Sequence, residues 1–136
     1  MENMENKRKH LEFIQLTITR MNVNSFMVKG WLINLVAAIF VLSEKDANTK
    51  FLFYSPFATL LFWFLDAFFL STERKFIALY NYVRTLDENQ IDFSMDITSY
   101  DTGRNTFGRV LISSTILLFY PVVFVASILA ACYINK

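Results

Sequence analysis

Apolar residues along the chain fall into three long runs separated by polar segments. The runs cover residues 26–42, 51–70 and 110–134. An α-helix rises about 1.5 Å per residue, so each run can cross about 30 Å of hydrocarbon, although the first is barely long enough. The pattern therefore predicts an all-α membrane protein with three transmembrane helices, in which the two termini lie on opposite sides of the membrane.

Helical stripes continue beyond two of these runs. Apolar residues recur there at spacings of three, four or seven, which is typical of one face of a helix. The stripe residues are Leu11, Ile14, Ile18, Met21 and Val28 before the first run, and Phe76, Leu79, Tyr80, Val83 and Leu86 after the second. We expect the first helix to extend over about 6–43 and the second to continue past residue 70. Residues 6–25 and 71–109 would then form a cytoplasmic helical stalk within one domain, 1–136.

A different pattern follows the second stripe. In residues 91–98, apolar and polar side chains alternate strictly, which is typical of a β-strand. A lone strand is not stable without a partner. The segment would therefore either pair with the same segment of another subunit or lie extended over the helices, and we favour the extended arrangement.

Basic residues are distributed unevenly between the two sides of the predicted bilayer. Ten of the thirteen lie before the first run, at its start, or between the second and third runs: Lys7, Arg8, Lys9, Arg20, Lys29, Arg74, Lys75, Arg84, Arg104 and Arg109. Only Lys45, Lys50 and Lys136 lie on the other side. The positive-inside rule then places the N-terminus in the cytoplasm and the C-terminus outside.

The composition agrees with a membrane protein and argues against an enzyme. Fifteen phenylalanines and an apolar fraction of 54% exceed what the core of a soluble domain with 136 residues could hide. One histidine, His10, and one cysteine, Cys132, cannot build a catalytic triad or a metal site. No glycine-rich phosphate loop is present. We therefore expect no enzymatic activity and no cofactor.

Several polar residues interrupt the predicted spans. In antiparallel helices, Lys29 and Asp66 would lie at the same depth, and pairing lowers the cost of a charge in hydrocarbon, about 2.5–3.5 kcal/mol on insertion scales. Asn34 lies deeper, and Ser113, Ser114 and Thr115 lie at a depth similar to that of the pair. These groups either hold helices together or line a water-filled pore formed by several subunits. For the ion pair we favour the first interpretation by a small margin.

The basic stalk residues allow two interpretations as well. Arg20 could form a salt bridge with Glu73, with the remaining cations anchoring anionic lipid. Alternatively, a phosphate-bearing ligand, a nucleotide or an oligonucleotide could bind there. Besides the Lys7–Lys9 run, the candidate ligand-binding residues are Arg20, Asn24, Arg74, Lys75 and Arg84.

Three segments carry a family resemblance: HLEFIQLTITRMNVNSFMVKGW (10–31), FWFLDAFFLSTERKFIALYNYVR (62–84) and IDFSMD (91–96). They resemble a group of small bacterial membrane proteins, some linked to antiphage defence, with the Hailong-type channel effector as the nearest system. The residues that carry the motifs RM..NS...KGW and LD...L..ER are Arg20, Asn24, Ser25, Lys29, Asp66, Glu73 and Arg74, and the resemblance attaches no established role to any of them.

The resemblance implies a homo-oligomeric channel controlled by a nucleotide or oligonucleotide ligand from a nucleotidyltransferase-like partner. The leading hypothesis from the sequence is therefore a pore-forming effector that is gated from the cytoplasmic side. The alternative is a non-conducting anchor or scaffold that recruits a cytoplasmic partner protein through its stalk. A transporter subunit ranks third, because the sequence shows neither a discontinuous helix nor a repeated half.

Overall fold

The computed structural model describes residues 2–45 and 52–134 and is all-α. Its helices are α1 (Glu2–Lys45), α2 (Tyr54–Val83), α3 (Phe107–Leu111), α4 (Ser114–Leu117) and α5 (Tyr120–Ile134). Short 3₁₀ turns at 88–90, 98–100 and 103–105 lie between α2 and α3. Residue 51, where the second predicted span begins, lies outside the described residues. So do Lys50 and Lys136, two of the three basic residues predicted for the outer side.

The antiparallel pair of α1 and α2 forms the body of the fold. Near one end, Ile14 and Ile18 of α1 are buried against Leu79 and Val83 of α2. Leu11, Phe76, Tyr80 and Leu86 pack around this cluster. We call this end, with residues 5–25 of α1 and 71–83 of α2, the basic end. The predicted continuation of both helices beyond their apolar runs is thus confirmed, since the stripes that predicted it form the contact.

The end of α2 is closed by a residue from α1. The ammonium of Lys7 donates to the main-chain carbonyls of Arg84, at 3.3 Å, and Leu86, at 2.7 Å. Both carbonyls belong to the turn that follows α2, and a cation near a helix C-terminus interacts favourably with the helix dipole. Helix α2 itself ends at Val83, three residues before the last predicted stripe residue.

Residues 91–97 lie in irregular structure over the pair of helices. Ile91 is buried in the cluster at the basic end, and Ile97 and Tyr100 pack against the same cluster. Phe93 has a φ of 56°, which is rare for a residue other than glycine, and this turn brings its ring edge-on to His10 at 5.5 Å. No β-strand occurs within 2–45 or 52–134. The segment therefore lies over the helices, as in the arrangement that we favoured, with Ile91 and Ile97 in contact while Phe93 and Met95 stay exposed.

The third apolar run differs from the prediction because it is not one continuous helix. Phe107–Leu117 and Tyr120–Tyr133 are inclined by 68° to each other. Within the first part, Ser113 has extended backbone (ψ 152°) and separates α3 from α4. Pro121 lies in the first turn of α5, where its missing N–H interrupts no hydrogen bond within the helix. The expectation from the sequence that no helix is discontinuous was therefore wrong.

The helices are suited to a membrane by length and surface. Glu5–Ser43 and Tyr54–Val83 are each long and apolar enough to cross one, and the bent pair makes a third crossing if it acts as one span. Phe26, Phe57 and Leu118 are each more than half exposed. So much exposed apolar surface on a protein of this size is unfavourable in water but not in lipid.

Candidate functional site

The centre of the α1–α2 contact holds a charged cluster of three residues. Lys29 Nζ lies 2.5 Å from Asp66 Oδ2, and the Ser25 hydroxyl donates to Asp66 Oδ1. Lys29 also donates to the Ser25 hydroxyl at 3.0 Å. Asp66 is fully buried, whereas 21% of the Lys29 side chain is exposed. The predicted meeting of Lys29 with Asp66 is confirmed, and Ser25 adds a contact that the depth argument did not include.

Aromatic residues close this cluster from the side of α5. Tyr120 is fully buried, and its hydroxyl interacts with Asp66 but makes no hydrogen bond of good geometry to any described residue. The Tyr120 ring stacks on Trp63 at 5.9 Å. Trp63 in turn donates its indole N–H to the Leu111 carbonyl at 3.0 Å. Tyr120 is not among the predicted site residues, because it lies near the middle of an apolar run that was predicted to be unbroken.

The other polar residues of the predicted spans do not join this cluster. Asn34 is exposed on α1, and Ser114 and Thr115 are exposed on α4. Ser113 is half-buried, and its hydroxyl is shielded from solvent without a hydrogen bond to any described residue. The chain itself thus satisfies the charges of Lys29 and Asp66 but leaves Asn34 uncovered.

The basic candidates are distributed over the basic end rather than gathered in one site. Arg20 lines one cavity and Arg74 lines another. Lys75 forms an ion pair with Asp101 at 2.9 Å. Asn24 is half-buried on α1, and Arg84 is exposed just beyond α2.

The suggested salt bridge between Arg20 and Glu73 is not formed. Glu73 instead accepts a hydrogen bond from the Asn22 amide at 3.4 Å. Within the part of the chain that the structure describes, the ion pairs are Lys9–Glu5, Lys29–Asp66 and Lys75–Asp101. Arg20 therefore keeps its charge available at the cavity that it lines.

Two cavities open at the basic end. The larger, about 830 Å³, lies between α1 and residues 93–95. Its wall is largely apolar, with Phe13, Leu16 and Phe93 half or more exposed. His10, which is only 4% exposed, also lines it, and burial lowers the pKa of its imidazole while Asp92 acts in the opposite direction. The smaller cavity, about 310 Å³, is surrounded by arginines and serines.

The comparisons with known proteins find no match to this chain among family models, curated proteins or solved structures. Its function must therefore be inferred from its own residues and geometry. The class that these establish is an all-α protein with two or three helices suited to cross a membrane.

Proposed function

We propose that this chain is a subunit of an oligomeric, pore-forming membrane protein. Its stalk, at the basic end, lies in the cytoplasm, and a nucleotide or oligonucleotide ligand controls opening from there. The excess of basic residues at that end supports the orientation. A role in antiphage defence is supported by the resemblance of residues 10–31, 62–84 and 91–96.

The observation that carries the proposal is the exposure of Asn34. This side-chain amide lies on α1 between Trp31 and Leu42, in the most apolar part of the helix, and it is exposed among residues 2–45 and 52–134. A polar group that faces hydrocarbon without a hydrogen-bond partner costs several kcal/mol. A second subunit or water in a pore would each satisfy the amide, and both require that several chains assemble.

In this proposal the ion pair has a structural role. The carboxylate of Asp66 is enclosed by α1, α2 and Tyr120, so it does not face a conduction path. Lys29 neutralises its charge and Ser25 donates a hydrogen bond to it between the helices, which is the role that we favoured from the sequence. Exposed Asn34, Ser114 and Thr115 are the candidate pore-lining residues.

A separate observation favours the alternative of an anchor or scaffold. Phe13 and Leu16 are 62% and 59% exposed at the basic end, on the helix stretch that the proposal places outside the membrane. Exposed apolar side chains in water often mark an interaction surface. A protein with this role would recruit a partner through the larger cavity without conducting.

Ion flux into liposomes distinguishes the two functions. Purified protein is reconstituted into vesicles that carry a membrane potential and a potential-sensitive dye. The pore proposal expects dissipation of the potential that rises more steeply than linearly with protein density, because several subunits must meet. Vesicles that hold their potential at every protein density, with and without nucleotides or oligonucleotides, would favour the anchor.

A further inference from the structure

The smaller cavity brings Arg74 together with Arg104 and Arg109, two arginines of a distant part of the sequence. It has a volume of about 310 Å³, and its wall consists of Arg74, Arg104, Arg109, Ile112, Ser113 and Ser114. No acidic residue lines it. It lies where α2 passes the break between α3 and α4.

Contacts from α2 fix the backbone around this cavity. The Arg74 guanidinium donates to the Arg104 carbonyl at 3.0 Å. One turn earlier on α2, the buried Ser71 hydroxyl donates to the Asn105 carbonyl at 2.6 Å. The loop that carries Arg104 is therefore held on α2, and α3, with Arg109, follows directly. The three cations are thus positioned by tertiary contacts rather than by sequence proximity.

Two carboxylates of neighbouring residues make contacts outside the cavity wall. Asp101 pairs with Lys75, and Glu73 accepts a hydrogen bond from Asn22 through one oxygen, while its other oxygen is buried without a hydrogen-bond partner among the described residues. Three guanidinium groups around one small cavity repel each other, so an anion between them would remove an unfavourable interaction. The planar fork of N–H donors in arginine matches the oxygens of a phosphate group.

Ser113 also lines this cavity. Its hydroxyl oxygen is fully shielded from solvent and has no hydrogen-bond partner among the described residues. A buried hydroxyl without a partner is unfavourable. Rotation of the side chain toward the cavity would let this hydroxyl donate a hydrogen bond to a bound anion.

We propose that this cavity binds a phosphate group, held by Arg74, Arg104 and Arg109 with Ser113 as a further donor. The phosphate belongs either to a lipid headgroup or to a soluble phosphate compound. Of the ligand-binding candidates from the sequence, Arg74 lines this cavity, whereas Arg20 and Arg84 do not. A ligand here would also contact both sides of the break between α3 and α4. Its effect on opening rests on the proposed function, whereas its binding does not.

Binding is measured on the purified full chain without any conductance readout, so this inference and the pore can fail separately. For the soluble source, the probes are inorganic pyrophosphate, ATP and a short oligonucleotide, titrated by calorimetry. For the lipid source, nanodiscs of phosphatidylcholine with and without phosphatidic acid are compared by native mass spectrometry. The variant is Arg104→Gln with Arg109→Gln. The matched control is Arg8→Gln with Arg84→Gln, which removes two exposed arginines of the same end outside the cavity.

Loss of two charge-assisted contacts is expected to weaken binding by about tenfold or more, whereas the control changes it by less than about threefold. Replacing Arg104 and Arg109 with lysine keeps the charge without the fork and should give an intermediate affinity. Weaker binding of the variant in calorimetry would identify a soluble phosphate compound as the ligand. Weaker binding in the nanodiscs with phosphatidic acid would identify a lipid headgroup. Equal weakening by the variant and its control, or no binding in either arm, would overturn the proposal. Circular dichroism of each variant verifies that its helices are retained.

Discussion

The ammonium of Lys29 on α1 lies 2.5 Å from the carboxylate of Asp66 on α2, where Asp66 is wholly buried. The pair favours one register of α1 against α2, because sliding either helix along the other would separate the two charges. Such a pair is costly to break and weakly stabilising to keep, since burying both charges offsets most of their attraction.

The first prediction concerns the difference between breaking this ion pair and removing both of its charges. Replacing Asp66 with alanine leaves Lys29 without its carboxylate and should destabilise the protein by about 3–5 kcal/mol. Combining Lys29→Met with Asp66→Leu should recover most of that loss, because no charge remains to be buried. Thermal unfolding in mild detergent, followed by circular dichroism, measures both variants. The matched control is Glu5→Gln, which breaks the exposed Lys9–Glu5 pair and should change stability by less than about 1 kcal/mol.

The second prediction concerns pH. Burial lowers the pKa of His10 in the folded protein below its usual value, so the unfolded chain binds a proton more readily. Neutral His10 therefore makes its full contribution to the free energy of unfolding above about pH 7. This contribution is lost as the pH falls, first through the pKa of His10 in the unfolded chain and then through its lower pKa in the folded protein. Between pH 7.5 and 5.5 the unfolding temperature should drop more in the unmodified protein than in His10→Phe. Equal drops would show that His10 does not contribute.

The third prediction concerns the bent third run. Trp63 donates to the Leu111 carbonyl and stacks on Tyr120, so it contacts both parts of the run. Trp63→Phe removes the hydrogen bond, which contributes about 1 kcal/mol, and should speed hydrogen exchange at residues 107–119. Exchange at Ile14 and Leu79 should stay unchanged. Trp31→Phe, at a tryptophan that is 62% exposed, is the control and should leave both regions as they are.

The α1–α2 pair could be predicted well from the sequence, because it depends on the spacing of residues within each helix. Apolar stripes with helical spacing define the contact face of each helix, and matched depth placed Lys29 opposite Asp66. The structure confirms both. Ser25 lies one turn before Lys29 on the same face of α1, and its contact with Asp66 follows from that position.

The broken third run could not be predicted in this way. Its hydropathy is continuous through Ser113 and Pro121, and hydropathy does not report backbone direction. The arginine-lined cavity was missed for a related reason. Arg104 and Arg109 approach Arg74 only because Ser71 and Arg74 bind carbonyls of a distant loop, and no local spacing encodes such contacts.

The fourth prediction concerns assembly. If Asn34 faces a neighbouring subunit or pore water, Asn34→Leu should lower the oligomeric mass or close the pore, because an apolar side chain cannot replace the amide's hydrogen bonds. Native mass spectrometry from nanodiscs measures the mass. Asn34→Gln keeps the amide and should behave like the unmodified chain. A chain that remains monomeric at every lipid-to-protein ratio would exclude a pore.

Single-channel recording in planar bilayers tests the central claim most directly. The purified protein should produce discrete conductance steps, either spontaneously or on changing the concentration of a nucleotide or oligonucleotide on the side of the basic end. The steps should persist in Asn34→Gln and in the double variant Lys29→Met with Asp66→Leu, and change in size or frequency in Asn34→Leu. A stable oligomer that never conducts, with any of these ligands, would contradict the account.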